Sequence, residues 1–146
     1  MSEVTKQYAV DLTRLDTALY RATNSAGASI EFGSGEGLLS PVELLLAAVA
    51  GCSAVDVDVV TSRRAEPDSF DVHVEGDRVN EDGASRLSEV RVGFNLSFPD
   101  TSEGNQAREL VDNLIRISHE KDCTVSRTVE NPHECCLAMT RNSTTK

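Results

Sequence analysis

Residues 40–64 read SPVELLLAAVAGCSAVDVDVVTSRR, and the fold turns on them. Ser40 is a strong N-cap residue, Pro41 fits the first helical position, where its missing N–H costs nothing, and Glu43 three residues on completes a capping box. A helix therefore starts at Ser40. Over 44–55 apolar residues occupy nearly every face, which a helix in water tolerates only when it is covered on almost all sides. The reading is a buried central helix over 40–64, with Cys52 in its driest part. Gly51 and Ser53 interrupt the apolar run, and Asp56 and Asp58 follow too soon for the ~20 apolar residues of a bilayer span. No membrane partner is expected.

The chain has 146 residues, enough for one domain with a real core and too few for two. Residues 1–39 read as a strand meander, 40–64 as the central helix, and 65–146 as strands, a second helix and C-terminal strands. A formal net charge of −10 repels phosphate backbones, so nucleic acid is not an expected partner. The opening MSEVTKQYAV carries no apolar signal core, which favours the cytoplasm. Four cysteines, Cys52, Cys123, Cys135 and Cys136, are few for a disulfide framework, and in a reducing compartment they are thiols. CxxC spacing is missing, and no cofactor is called for. His119, His133, Cys135 and Cys136 fit no strong metal pattern.

Outward from the helix, period-two alternation of Tyr8, Val10 and Leu12 predicts a strand over 6–13, and further strands fall at 18–23 and 28–32 around the Asn24-Ser25-Ala26-Gly27 turn. Gly33-Ser34-Gly35-Glu36-Gly37 reads as a flexible link into the helix. Beyond Pro67-Asp68, Phe70, Val72 and Val74 alternate along one strand, and Val90, Val92, Phe94, Leu96 and Phe98 along another, with a polar loop over 76–85 between them. Pro99 ends that strand. Asp100, Thr101 and Ser102 are cap candidates for an amphipathic helix carrying Ala107, Leu110, Val111, Leu114 and Ile115 on one face. Strands over 124–130 and 134–140 and a polar tail at 141–146 complete the chain. The class is α+β with antiparallel sheets around a long central helix. One chain this short cannot cover a helix apolar all round, so a second copy is expected against it.

Two segments carry a family resemblance: Ser40-Pro41-Val42-Glu43-Leu44-Leu45-Leu46-Ala47-Ala48-Val49-Ala50-Gly51-Cys52-Ser53, and His119-Glu120-Lys121-Asp122-Cys123-Thr124-Val125-Ser126. With these the sequence resembles the OsmC/Ohr family of thiol-dependent peroxidases. The resemblance implies an intertwined homodimer with the long helices back to back, organic hydroperoxide as substrate, and a dithiol as reductant. It implies that Cys52 becomes a sulfenic acid and that Cys123 resolves it as a disulfide. It also implies an arginine from the N-terminal meander, Arg14 or Arg21 with Arg21 preferred, as thiolate stabiliser, and a glutamate near Glu43 that holds it.

Two departures set the chain apart from the hydroperoxide-resistance pattern. Val42 follows the proline where that pattern has the acid, and Thr124-Val125 follow Cys123 where it has proline and an aromatic, which brings the chain nearer a third, less characterised OsmC-like branch.

The residues carry other readings beside these. Glu43 lies nine residues before Cys52, ~13 Å of helix rise, so the two cannot touch within one helix, and its capping role stands beside the catalytic one. Cys123 follows a helix C-terminus, where the dipole disfavours a thiolate and suits the resolving role. Asp56, one turn after Cys52, is unfavourable beside a thiolate. The rival function, from a different class, is a noncatalytic dimer whose cysteines pack, bind an apolar ligand or sense redox state.

Overall fold

The computed structural model describes residues 2–139; the tail expected at 141–146 and the end of the strand expected at 134–140 lie outside them. The elements are β1 (Val10–Asp16), β2 (Leu19–Asn24), β3 (Ser29–Gly33), α1 (Pro41–Thr61), β4 (Ser69–Glu81), β5 (Ala84–Ser97), α2 (Ser102–Ile117), a single π-helical turn (Ser118–Asp122) and α3 (Thr124–Glu130). The fold is α+β, with both sheets antiparallel. Contacts divide the chain into two units. One holds the residues up to Ala50 with Val72–Gly93, the other Gly51–Asp71 with the residues from Phe94 on.

In the first unit β1, β2 and β3 form the expected meander, with Arg14 opposite Tyr20 and Arg21 opposite Glu31. The Asn24 side chain sets the second turn by accepting from the backbone N–H groups of Ala26 and Ala28, each at 3.0 Å, while Gly27 takes the left-handed φ of +90° that the turn needs. The glycine-rich link is tied rather than loose. Gly33 N–H donates to the Leu39 carbonyl (3.0 Å) and Ser34 N–H to that of Ala18 (2.9 Å). A Cβ on Gly33 would overlap that same Ala18 carbonyl. The capping box closes as read, with Ser40 N–H donating to Glu43 Oε1 (3.0 Å) and Glu43 N–H to Ser40 Oγ (3.2 Å).

The polar loop expected at 76–85 is strand instead. β4 and β5 run to a two-residue turn at Asp82-Gly83, whose φ values of +51° and +82° are the double-positive geometry that matches strand twist. Cross-strand charge replaces apolar alternation there: Arg91 reaches Glu75 and Asp77, both at 3.1 Å, and Arg86 reaches Glu81 at 2.7 Å.

In the second unit Thr101 caps α2, its Oγ1 accepting from Gly104 N–H at 3.0 Å. Gly104 is buried against the Pro99 carbonyl, which any Cβ would overlap. The strand expected at 124–130 is α3: Cys123 takes an extended N-cap conformation, its Sγ accepts from Ser126 N–H (3.3 Å), and Arg127 N–H bonds the Cys123 carbonyl (3.1 Å). That cap outweighs the strand preference of Thr124 and Val125. Residues 132–139 carry no regular structure, so the strand expected over 134–140 is not formed within the described residues.

The central helix is less covered in one chain than its composition demands. Val49, Ala50, Ser53, Val57 and Thr61 are buried, but Val42, Leu45, Val55 and Val59 are exposed. Cys52 is half-buried rather than dry. By length and composition alone, α1 passes for a membrane-crossing helix, an 18-residue stretch of it reaching a mean hydropathy of 1.8, as the core helix of a globular protein also can. Its second half is nevertheless tied into a packed unit, where Asp56 accepts a 2.6 Å hydrogen bond from Ser118 Oγ.

Candidate functional site

The second unit brings two thiols together from positions 71 residues apart in the chain. Cys52 projects from the middle of α1. Cys123 stands between the π turn and α3 and is wholly buried, at 0% exposure. The two thiols are close enough that each bears on the other's ionisation.

Their ionisation is pulled in opposite directions. Burial pushes the Cys52 thiol up and the neighbouring Cys123 adds to this; the Val125 backbone opposes them, and the charges of Cys123 and Asp56 add smaller upward contributions. Burial pushes Cys123 up as well, but the polar groups around it, Ser126 with its side chain and its backbone N–H, then Cys52 and Ser53, outweigh it, and Cys123 lies below the ordinary thiol value. Of the two thiols, Cys123 is thus the more readily ionised. This corrects the dipole argument made from sequence. Cys123 does follow a helix, but it also caps the next one, and a cap sulfur facing N–H groups is favoured as an anion.

Next to the pair, Asp56 on α1 holds Ser118, and the Ser118 carbonyl accepts from Cys123 N–H at 2.7 Å. An open cleft of about 220 Å³ runs beside these residues, lined by Val55, Val59, Val60, Leu114 and Ile117, with Asp56 and Asp122 as its acids.

Arg14, Arg21 and Glu43 belong to the first unit. Arg21 is ion-paired with Glu31 at 2.7 Å, and Arg14 donates to Thr17 at 3.2 Å. Glu43 is exposed, and its hydrogen bonds from the Ser40 backbone and side chain hold its carboxyl below the usual range. Ser53, Ser118 and Ser126 escape a reading based on sequence alone. For Ser126 the signal is present, since residues 123 and 126 have cap-to-N3 spacing, but cysteine is an uncommon cap.

Cys135 and Cys136 are exposed free thiols, and His133 Nδ1 lies 3.0 Å from the Asn131 carbonyl. Among the described residues no group of three or more His, Cys, Asp or Glu is arranged to hold a metal ion. Brief alkylation of the reduced native protein is expected to label Cys135 and Cys136 first, Cys52 more slowly and Cys123 last, as read by peptide mass mapping. Early labelling of Cys123 would contradict its burial.

The family model described as "OsmC-like protein" matches residues 33–137. No curated protein matches the chain. Among solved structures, a hypothetical protein from Aquifex aeolicus is similar at 24% identity and TM-score 0.68, over 86% of this chain and 89% of that one. An OsmC-like protein of unknown function from Vibrio cholerae is similar at 14% identity and TM-score 0.63, over 86% and 95%. An organic hydroperoxide resistance protein from Elizabethkingia anophelis is similar at 17% identity and TM-score 0.58, over 87% and 91%. These likenesses share the fold, and the family match takes in both cysteine-bearing segments. This chain belongs to the OsmC-like family.

Proposed function

We propose that the protein is a thiol-dependent peroxidase that reduces organic hydroperoxides through Cys52, with Cys123 as the resolving thiol. The observation that carries this reading is the pairing, within one unit, of a half-buried thiol, Cys52, with a buried, more acidic one, Cys123. The name of the Elizabethkingia relative points to the same substrate class.

The arrangement supplies a balanced cycle. The Cys123 thiolate takes the Cys52 proton as the Cys52 sulfur attacks the distal oxygen of ROOH. The O–O bond breaks, leaving Cys52–SOH and an alkoxide, which takes a proton from a water molecule and leaves as ROH, the resulting hydroxide recovering the proton of Cys123. Cys123, a thiolate again, attacks the sulfenic sulfur and expels hydroxide, which leaves as water on protonation. An external dithiol then reduces the disulfide. Arg21 remains our choice for a second stabiliser of the Cys52 thiolate, with Glu43 as its anchor.

The cytoplasm, where dithiol reductants are kept reduced, suits this cycle. We read residues 1–146 as one OsmC-like domain that works as a homodimer. The exposed Val55 and Val59 flank the face of α1 that carries Cys52, and a second copy covering them would dry the thiol. Sedimentation is expected to give twice the chain mass at micromolar concentration, and a monomer would remove that cover. Turnover of cumene hydroperoxide with a dithiol tests the activity; protein that leaves the peroxide unconsumed would remove it.

One observation favours a second reading. Cys52 is pushed up rather than down in a single chain, as suits a slow redox sensor. A sensor would oxidise once and stoichiometrically, without sustained turnover.

A further inference from the structure

We propose that the Asp56–Ser118 hydrogen bond is a clasp that holds Cys123 in register with Cys52, so that Asp56 and Ser118 are positioning residues for formation of the Cys52–Cys123 disulfide. The inference deepens the peroxidase reading and rests on its thiol pair.

The second unit joins the same two segments by two rungs. One is Cys52 to Cys123. The other is Asp56 Oδ2 accepting from Ser118 Oγ at 2.6 Å, between residues 62 positions apart. On α1 the rungs are one helical turn apart, and on the other segment one π turn apart. That π turn is the mechanical link, because the Ser118 carbonyl accepts the Cys123 N–H at 2.7 Å. Fixing Ser118 therefore fixes the backbone from which Cys123 projects. An ordinary α turn would direct that carbonyl to residue 122 and swing Cys123 by about 100° around the axis.

Ser118 is 1% exposed, so water cannot readily replace Asp56 as its partner. The charge of Asp56 opposes ionisation of Cys52, so its contribution to the pair is geometric. A disulfide needs its two Cβ atoms within roughly 3.5–4.5 Å, which makes register the quantity that matters.

The test measures the rate of Cys52–Cys123 disulfide formation under two oxidants. A hydroperoxide forms it through the sulfenic acid. Diamide forms it directly, two thiols being oxidised to the disulfide while the diazene is reduced to the hydrazine. Ser118→Ala and Asp56→Ala are expected to slow formation about tenfold with either oxidant, the factor carried by one hydrogen bond to a charged group. Asp56→Asn keeps an oxygen acceptor and should retain most of the rate, while the alkylation profile of Cys52 moves to lower pH as the charge is lost. A merely structural role would leave the disulfide rate of the folded variants at the wild-type value, and the shift in the Cys52 profile shows separately that the charge has been removed.

Thermal unfolding checks each variant. If Asp56→Ala does not fold, Ser118→Ala and Asp56→Asn decide. Wild-type rates in folded Ser118→Ala would overturn the clasp. If wild type closes the disulfide with diamide but not with hydroperoxide, the peroxidase reading fails, and the diamide rates still judge the clasp.

Discussion

Cys123→Ser protein treated with cumene hydroperoxide is expected to carry Cys52 oxidised by two or three oxygens, where wild type stops at a disulfide. Without its partner the sulfenic acid has no nearby thiol to condense with, and excess peroxide drives it up the oxidation ladder. The same variant should also react more slowly in the first step. Burial, the largest contributor, and the charge of Asp56 still hold Cys52 up, and the sulfur that would take its proton is gone. The pH profile carries the sign of this effect. In wild type the group that must be deprotonated is Cys123, which lies below the ordinary thiol value, so the rate should fall only as pH drops through that lowered value. In Cys123→Ser it is Cys52, which lies above the ordinary value, so the rate should rise only under alkaline conditions. Intact mass and stopped-flow rates from pH 5 to 10, a span of order five units around the thiol range, read both effects. Identical profiles in the two proteins would remove Cys123 as the base.

Cys52→Ser should abolish dithiol-dependent peroxide consumption, leaving only the background reaction of free thiols. Cys123 remains a thiolate candidate in that variant, but at 0% exposure it cannot meet a bulky hydroperoxide. The exposed Cys135 and Cys136 react with peroxide only as ordinary thiols do, since the structure gives them no such thiol partner as Cys52 gives Cys123 among the described residues. Retention of most of the wild-type turnover in Cys52→Ser would transfer the chemistry to another sulfur.

Local chemistry accounts for what the sequence made legible. The Ser40–Glu43 capping box is encoded in four consecutive residues and forms as read, with both bonds at ordinary lengths. The meander follows from alternation and the Asn24 turn, with edges displaced because Ala18, at a φ of +54°, serves the turn rather than the strand. The hairpin tip was missed, and 76–85 read as loop. Asp82-Gly83 is a strong turn signal, hidden by the charged residues that pair across β4 and β5. Regions whose state depends on a neighbour read less well. Cys123 is an uncommon cap, so the β-favouring Thr124-Val125 suggested a strand where the chain forms α3. Residues 134–139 have the apolar content of a strand, but in one chain Leu137 and Met139 stay exposed without a sheet to join.

In the site, the two cysteines were visible because each lies in a recognisable segment. Their opposed ionisation was not, since it depends on Ser126 and Ser53 folding around Cys123. The Asp56–Ser118 contact joins residues too far apart in sequence for any local pattern to reveal.

The most direct measurement is the intact mass and disulfide map of wild-type protein after one equivalent of cumene hydroperoxide. The account predicts a loss of two hydrogens, located in a peptide that joins Cys52 to Cys123, with Cys135 and Cys136 still free to alkylate. An unchanged mass, or a disulfide elsewhere, would contradict it.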